Sequence, residues 1–97
     1  MNKGELIDKV TEKASASLEK SITKKDVDSV ITATMDAIME AVAEGKKVTL
    51  VGFGSFEPRE RKEREGRNPK TGDTMVIPAT TVPAFSAGKL FKEKVAK

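Results

Sequence analysis

The sequence predicts an α+β chain: two N-terminal helices, a three-stranded antiparallel sheet that extends into a long β-hairpin arm, and a short C-terminal helix. Three observations predict it. Apolar residues recur at helical spacing through the first half and stop near Gly45. Strand-like alternation takes over from Lys47. Every arginine falls between positions 59 and 67, leading into the turn-forming run Gly66-Arg67-Asn68-Pro69-Lys70-Thr71-Gly72. The 97 residues are expected to form one domain, with a helical body over 1–46, a sheet and arm over 47–84, and a C-terminal helix over 85–97.

The elements follow in order. Asn2 can cap a first helix, with Glu5 three residues on in a capping-box pattern. Leu6, Ile7, Val10, Ala14 and Leu18 form its stripe, so it runs from Lys3 to Ala14 or a turn beyond. Ser15 to Ser21 suits either an extra helical turn or a linker. Thr23 with Asp26 is a second N-cap signal. The stripe Val27, Val30, Ile31, Thr34, Ile38 and Val42 marks a long amphipathic helix, and Gly45 ends it. Lys47 to Val51 alternates like a strand. Gly52 and Gly54 around Phe53 suggest a bulge or tight bend, with Phe53 and Phe56 in the core. Glu57 to Glu65 is extended and charged, and Thr74 to Ile77 returns as its partner. Pro78 and Pro83 confine the returning chain to an edge or a bend. Ser86 to Val95 reads as the closing helix, packing through Leu90 and Phe91.

Composition limits the function. With 34% charged and 37% hydrophobic residues, the core is small. If residues 57–76 project as an arm, under about eighty remain to build it, a size at which oligomerisation is a usual remedy. A homodimer is the expectation. There is no Cys and no His, which removes the thiolate and imidazole ligands of a typical zinc site and the usual general base. No cofactor, metal or small-molecule substrate is expected, and no catalytic residue stands out. Gly52-Phe53-Gly54 starts like a dinucleotide fingerprint, but Ser55-Phe56-Glu57 breaks it. No apolar run nears the ~20 residues of a membrane span. The first residues resemble neither a secretory signal nor a transit peptide, so a cytoplasmic protein is the default.

Charge is unevenly placed. Residues 1–50 hold eight Lys and nine acids, a net of −1; residues 51–97 hold ten basic residues and six acids, a net of +4. Arg59, Arg61, Lys62, Arg64, Arg67 and Lys70 are six cations within twelve residues. Guanidinium groups present several donors to a phosphate or a minor-groove acceptor. Arg59, Arg61 and Arg67 share a strand face unless a bulge shifts the register. Interleaved Glu57, Glu60, Glu63 and Glu65 also suit a plain solvated strand pair, so charge alone does not choose. The tip alone favours the bland reading: Asn68-Pro69-Lys70-Thr71-Gly72 is first a plain turn, although a turn whose rigid Pro69 is also a wedge is compatible with it.

Specific segments add a resemblance. Asn2-Lys3 with Glu5-Leu6-Ile7, Val48 to Phe56, Arg59-Glu60-Arg61, Gly66 to Pro69, Ile77-Pro78-Ala79, Val82-Pro83 with Phe85, and Ala87-Gly88-Lys89 occur in that order. Across Met1 to Val95 the chain resembles the HU family of bacterial DNA-bending, nucleoid-associated, histone-like proteins. The resemblance implies an intertwined homodimer with a helical body, and two β-arms embracing double-stranded DNA through the minor groove. Bent, nicked or distorted DNA is then the preferred partner. Pro69 would intercalate; Arg59, Arg61, Arg64, Arg67, Asn68, Lys70 and Thr71 would line the arm; Lys3 and Lys89 would meet phosphates beside the body. Phe53, Phe56 and Phe85 match the family's dimer-core phenylalanines. Three departures are visible. Residues 16 to 21 are additional between the first two helices, Asp73 stands where the family is often basic, and Ser86 where many members carry Lys or Arg. A sequence-specific factor of the IHF kind shares the fold, and a protein-interaction module with an exposed β-edge is the alternative from another class.

Overall fold

A computed structural model of the chain describes residues 1–96. Three helices and five strands follow in the order α1 (Lys3–Leu18), α2 (Lys24–Ala43), β1 (Val48–Leu50), β2 (Gly54–Arg61), β3 (Arg64–Arg67), β4 (Thr74–Ile77), β5 (Thr80–Ala87) and α3 (Lys89–Ala96). This is the expected α+β class. The chain divides into two compact units, Met1–Met39 and Glu40–Lys97.

In the first unit, α1 starts because Asn2 stays extended and its side-chain oxygen accepts the Glu5 N–H at 2.9 Å. The helix runs one turn past Ala14. It ends where Glu19 turns left-handed at φ 56°. There the Glu19 N–H donates to the Ala16 carbonyl at 3.3 Å and the Lys20 N–H to the Ser15 carbonyl at 3.1 Å. The Ser15 hydroxyl also accepts the Ile22 N–H at 3.2 Å. Residues 16–21 are thus both things the sequence allowed: a further helical turn, then a return loop. Thr23 caps α2, accepting the Asp26 N–H at 3.1 Å. Lys3 pairs with Asp28 at 3.3 Å and Lys24 with Asp8 at 3.0 Å, which sets α1 and this part of α2 antiparallel. All four groups are about half exposed, so the pairs orient the helices more than they stabilise them.

Glu19 carries two costs. A side chain in the left-handed region is disfavoured, and a carboxylate near a helix C-terminus opposes the helix dipole. Glu19→Gly is expected to raise stability by about 0.5–1 kcal/mol. Urea unfolding at fixed protein concentration measures it, and an unchanged or lower midpoint would contradict this account of the helix end.

In the second unit, α2 closes at Gly45, which takes φ 87°. The Lys46 N–H reaches the Ala41 carbonyl at 2.9 Å and the Gly45 N–H the Val42 carbonyl at 3.0 Å. Strand β1 is shorter than expected. Val51 leaves it for a turn in which the Phe53 N–H donates to the Leu50 carbonyl at 2.9 Å, with Gly52 at φ 83° in its third position. One sheet has the order β1-β2-β5, all antiparallel, and β3-β4 form a second, two-stranded sheet.

The last strand and helix differ from the sequence reading. Ser86 and Ala87 are in β5, opposite Ser55 and Gly54, and α3 starts only at Lys89. Their non-local pairing overrides a local composition that suits a helix. The Gly88 N–H then donates to the Phe53 carbonyl at 2.8 Å and the Phe91 N–H to the Gly52 carbonyl at 3.3 Å. These bonds dock the start of α3 on the β1–β2 turn.

Pro58 faces Pro83 in the β2–β5 register. Neither can donate, so theirs is a non-hydrogen-bonded pair, and alternation makes Phe56–Phe85 another. Side chains approach most closely in such pairs, and these two rings lie 4.9 Å apart. Phe53 joins Phe85 at 5.5 Å and Phe91 at 5.3 Å, so every phenylalanine of the chain is in one cluster. The cluster is open: Phe53 is 46% exposed and Phe85 42%. Among the described residues only Val27 is a buried hydrophobic.

Candidate nucleic-acid interface

The arm is one hairpin in one register. Arg61 faces Thr80 at the end of the first sheet, and Arg64 faces Ile77 at the start of the second. Lys62-Glu63 and Pro78-Ala79 separate the sheets, two residues on each side, so no residue is inserted and the alternation is not shifted. Pro78 cannot donate to a ladder, which accounts for the break at this point.

The tip is narrower than the sequence suggested. Gly66 and Arg67 are strand residues, opposite Met75 and Thr74. The pairing continues one step further, with the Asn68 N–H donating to the Asp73 carbonyl at 2.8 Å. The loop is closed by the Gly72 N–H on the Asn68 carbonyl at 2.7 Å, with Gly72 at φ 75°. Asn68 Oδ1 accepts the Lys70 N–H at 2.9 Å, and Thr71 Oγ1 accepts the Asp73 N–H at 3.3 Å. Asn68 and Thr71 therefore shape the tip from within. Pro69 is exposed between them, with φ fixed by its ring.

Arg59 and Arg61 are on one face of β2 with Glu57, since side chains two apart share a face. On β3, Arg67 shares a face with Glu65, and Arg64 takes the other with Gly66. All the arginines are exposed. Arg59 Nη2 meets Glu57 Oε1 at 3.1 Å, whereas Arg61, Arg64, Arg67 and Lys70 form no ion pair among the described residues. Lys89 is exposed at the first turn of α3, where the helix dipole disfavours a cation. Lys3 is in the first unit and is already engaged, by Asp28 and by the Thr32 hydroxyl at 2.8 Å.

Phe91 packs as expected, and the aromatic cluster it joins is beyond what helical spacing indicates. One participant escaped the sequence reading. Lys47 Nζ lies 3.8 Å from Glu57 Oε2. Its signal is the strand register, because Val48 faces Phe56 and so places residue 47 across from 57.

An antiparallel arm with exposed guanidinium groups, three of them without an ion pair among the described residues, and a proline at its tip, in an α+β chain, defines a class of β-arm protein built to meet a polyanion. A family model described as bacterial DNA-binding protein matches residues 1–96. The chain is 76% identical over 96 residues to the DNA-binding protein HU of Synechocystis, covering 99% of this chain and 96% of that protein. It is 53% identical over 97 residues to HU of Clostridium pasteurianum, covering 100% of each. A cocrystal structure of Anabaena HU with DNA matches the fold with a TM-score of 0.89 at 69% identity, over 99% of this chain and 98% of that one. An HU variant from Thermotoga maritima matches with a TM-score of 0.68 at 39% identity, over 98% of this chain and 99% of that one. The chain belongs to the HU family of bacterial DNA-binding proteins.

Proposed function

We propose that this protein is a non-sequence-specific architectural factor that binds, bends and condenses double-stranded DNA in the bacterial nucleoid, as a homodimer without catalytic activity. The observation that carries this reading is the arm, in continuous register, with exposed arginines of which Arg61, Arg64 and Arg67 form no ion pair among the described residues, and with Pro69 exposed at the tip. Two such arms, one from each copy, follow the minor groove. Arg61, Arg64, Arg67 and Lys70 supply donors along the arm, and Lys3 and Lys89 reach phosphates on the flanks of the body. Asn68 and Thr71 hold the loop that presents Pro69, and Pro69 inserts between base pairs. Unstacking costs about a few kcal/mol per step, a figure general to minor-groove architectural proteins, HU among them, rather than one read from this chain. A second copy covers the open cluster of Phe53, Phe56 and Phe85. The relatives are named HU rather than a sequence-specific factor, which leaves the IHF-like alternative without support.

The test separates bending from binding. End-to-end energy transfer across a duplex reports the bend, and anisotropy on the same duplex reports affinity. Pro69→Ala is expected to lose most of the bend while affinity for a pre-bent duplex falls by less than about threefold, because phosphate contacts carry most of the affinity. Equal loss of bending and binding would contradict the wedge role. No bend by the unmodified protein would contradict the proposed function.

A further inference from the structure

Glu57 is unlike the other acids of the arm. It is the least exposed of its cluster, at 30%, and its two carboxylate oxygens take one cation each: Oε1 meets Arg59 Nη2 at 3.1 Å and Oε2 meets Lys47 Nζ at 3.8 Å. The two cations are 58% exposed. They come from different stretches, Lys47 just before β1 and Arg59 on β2, and the strand register brings them to either side of Glu57. Pro58 between Glu57 and Arg59 has a fixed φ, which stiffens their spacing. Glu60, Glu63 and Glu65 form no ion pair among the described residues.

A carboxylate bridging a lysine and an arginine presents two anionic oxygens, as the unesterified oxygens of a phosphodiester do. We propose that Lys47 and Arg59 form a phosphate seat that the Glu57 carboxylate occupies in the free protein, and that a backbone phosphate of duplex DNA takes over on binding. This rests on the DNA-binding reading above. Exposed ion pairs are weak enough to exchange. While Glu57 remains, a phosphate entering the seat must displace one anion and tolerate it nearby. Glu57 therefore restrains binding, and Lys47 becomes a contact residue. Arg59 differs in this from Arg61, Arg64 and Arg67, which are available without exchange.

The experiment compares unmodified protein, Glu57→Gln and Glu60→Gln on one linear duplex by anisotropy over a range of salt. Both substitutions change the charge equally, and only the first empties the seat. Glu57→Gln is expected to bind about three- to fivefold tighter and Glu60→Gln less than about twofold tighter. Glu57→Gln should also steepen the slope of log affinity against log salt by about one for each seat, about two for a dimer whose two seats both meet phosphates. In a background carrying Lys47→Gln and Arg59→Gln, the advantage of Glu57→Gln over Glu60→Gln should vanish. Equal gains from both substitutions, or a Glu57→Gln advantage that survives loss of the two cations, would overturn the seat. Should Glu57→Gln not fold, Lys47→Gln alone is read instead: a flatter slope supports the seat and an unchanged slope overturns it. If the unmodified protein shows no salt-dependent binding, the DNA reading itself fails; if it binds and the substitutions behave alike, only the seat fails.

Discussion

Replacing Arg59, Arg61 and Arg67 together by glutamine is expected to lower affinity for duplex DNA by about a hundred- to a thousandfold at roughly 0.1 M salt. Each phosphate neutralised contributes about 0.9 to the slope of log affinity against log salt, hence about a decade of affinity at that concentration. Three cations on each of two arms would give about six decades if every one neutralised a phosphate; the expected loss is about two to three, because groove-facing guanidinium groups do not all meet phosphates and Arg59 is partly held by Glu57. Glutamine keeps a long polar side chain and removes only the charge. The three residues are exposed, so the fold has little to lose. Circular dichroism should be unchanged while anisotropy titrations show weaker binding and a flatter salt slope. Weaker binding with the original slope would mean the arginines shape the arm rather than meet phosphates.

The largest effect on stability is expected at Gly54. This residue is buried at the first position of β2. A Cβ added there would be 2.5 Å from the Ser86 carbonyl oxygen and 2.6 Å from Phe85 Cζ. Neither neighbour can move freely. The Pro58–Pro83 pair makes Ser55–Ser86 a hydrogen-bonded pair, so that carbonyl is committed to the ladder. The Phe85 ring is held by Phe53 and Phe56. Gly54→Ala must therefore separate β2 from β5 or break the aromatic cluster, at a cost of about 2–4 kcal/mol. For a chain this small, that is a fall in Tm of about 10–20 °C at fixed protein concentration. Gly45 makes a useful contrast, since a Cβ there would meet nothing within 4 Å, and its φ of 87° is the only obstacle. A Gly54→Ala protein that melts within about 3 °C of the original would show that the β2–β5 contact is looser than described.

What could be read from the sequence was local. Asn2 with Glu5, Thr23 with Asp26, and Gly45 each mark a helix end by their own chemistry, and all three serve as expected. The arm's alternation and its Asn-Pro-Lys-Thr-Gly turn were equally legible. What escaped depends on residues distant in sequence. Nothing in Glu19 announces a left-handed helix end; the return loop to Thr23 imposes it. Ser86 and Ala87 belong to a strand only because Ser55 and Gly54 lie opposite. Phe91 meets Phe53 because backbone bonds dock α3 on the turn at Gly52 and Phe53. At the candidate site, the arginines and Pro69 were visible as residue types. Their division into free cations and one held by Glu57 was not, because it needs the register that brings Lys47 across from Glu57.

The open aromatic cluster, with Val27 the only buried hydrophobic among the described residues, fits a chain that completes its core with a second copy. The arm carries every arginine of the chain, and DNA is the polyanion proposed to meet it. The most direct test is the affinity of the unmodified protein for intact and nicked duplexes of the same sequence as salt is raised. Tighter binding to the nicked duplex, with log affinity falling steeply and linearly against log salt, is the expected result. A flat salt response with equal affinity for both duplexes would contradict it.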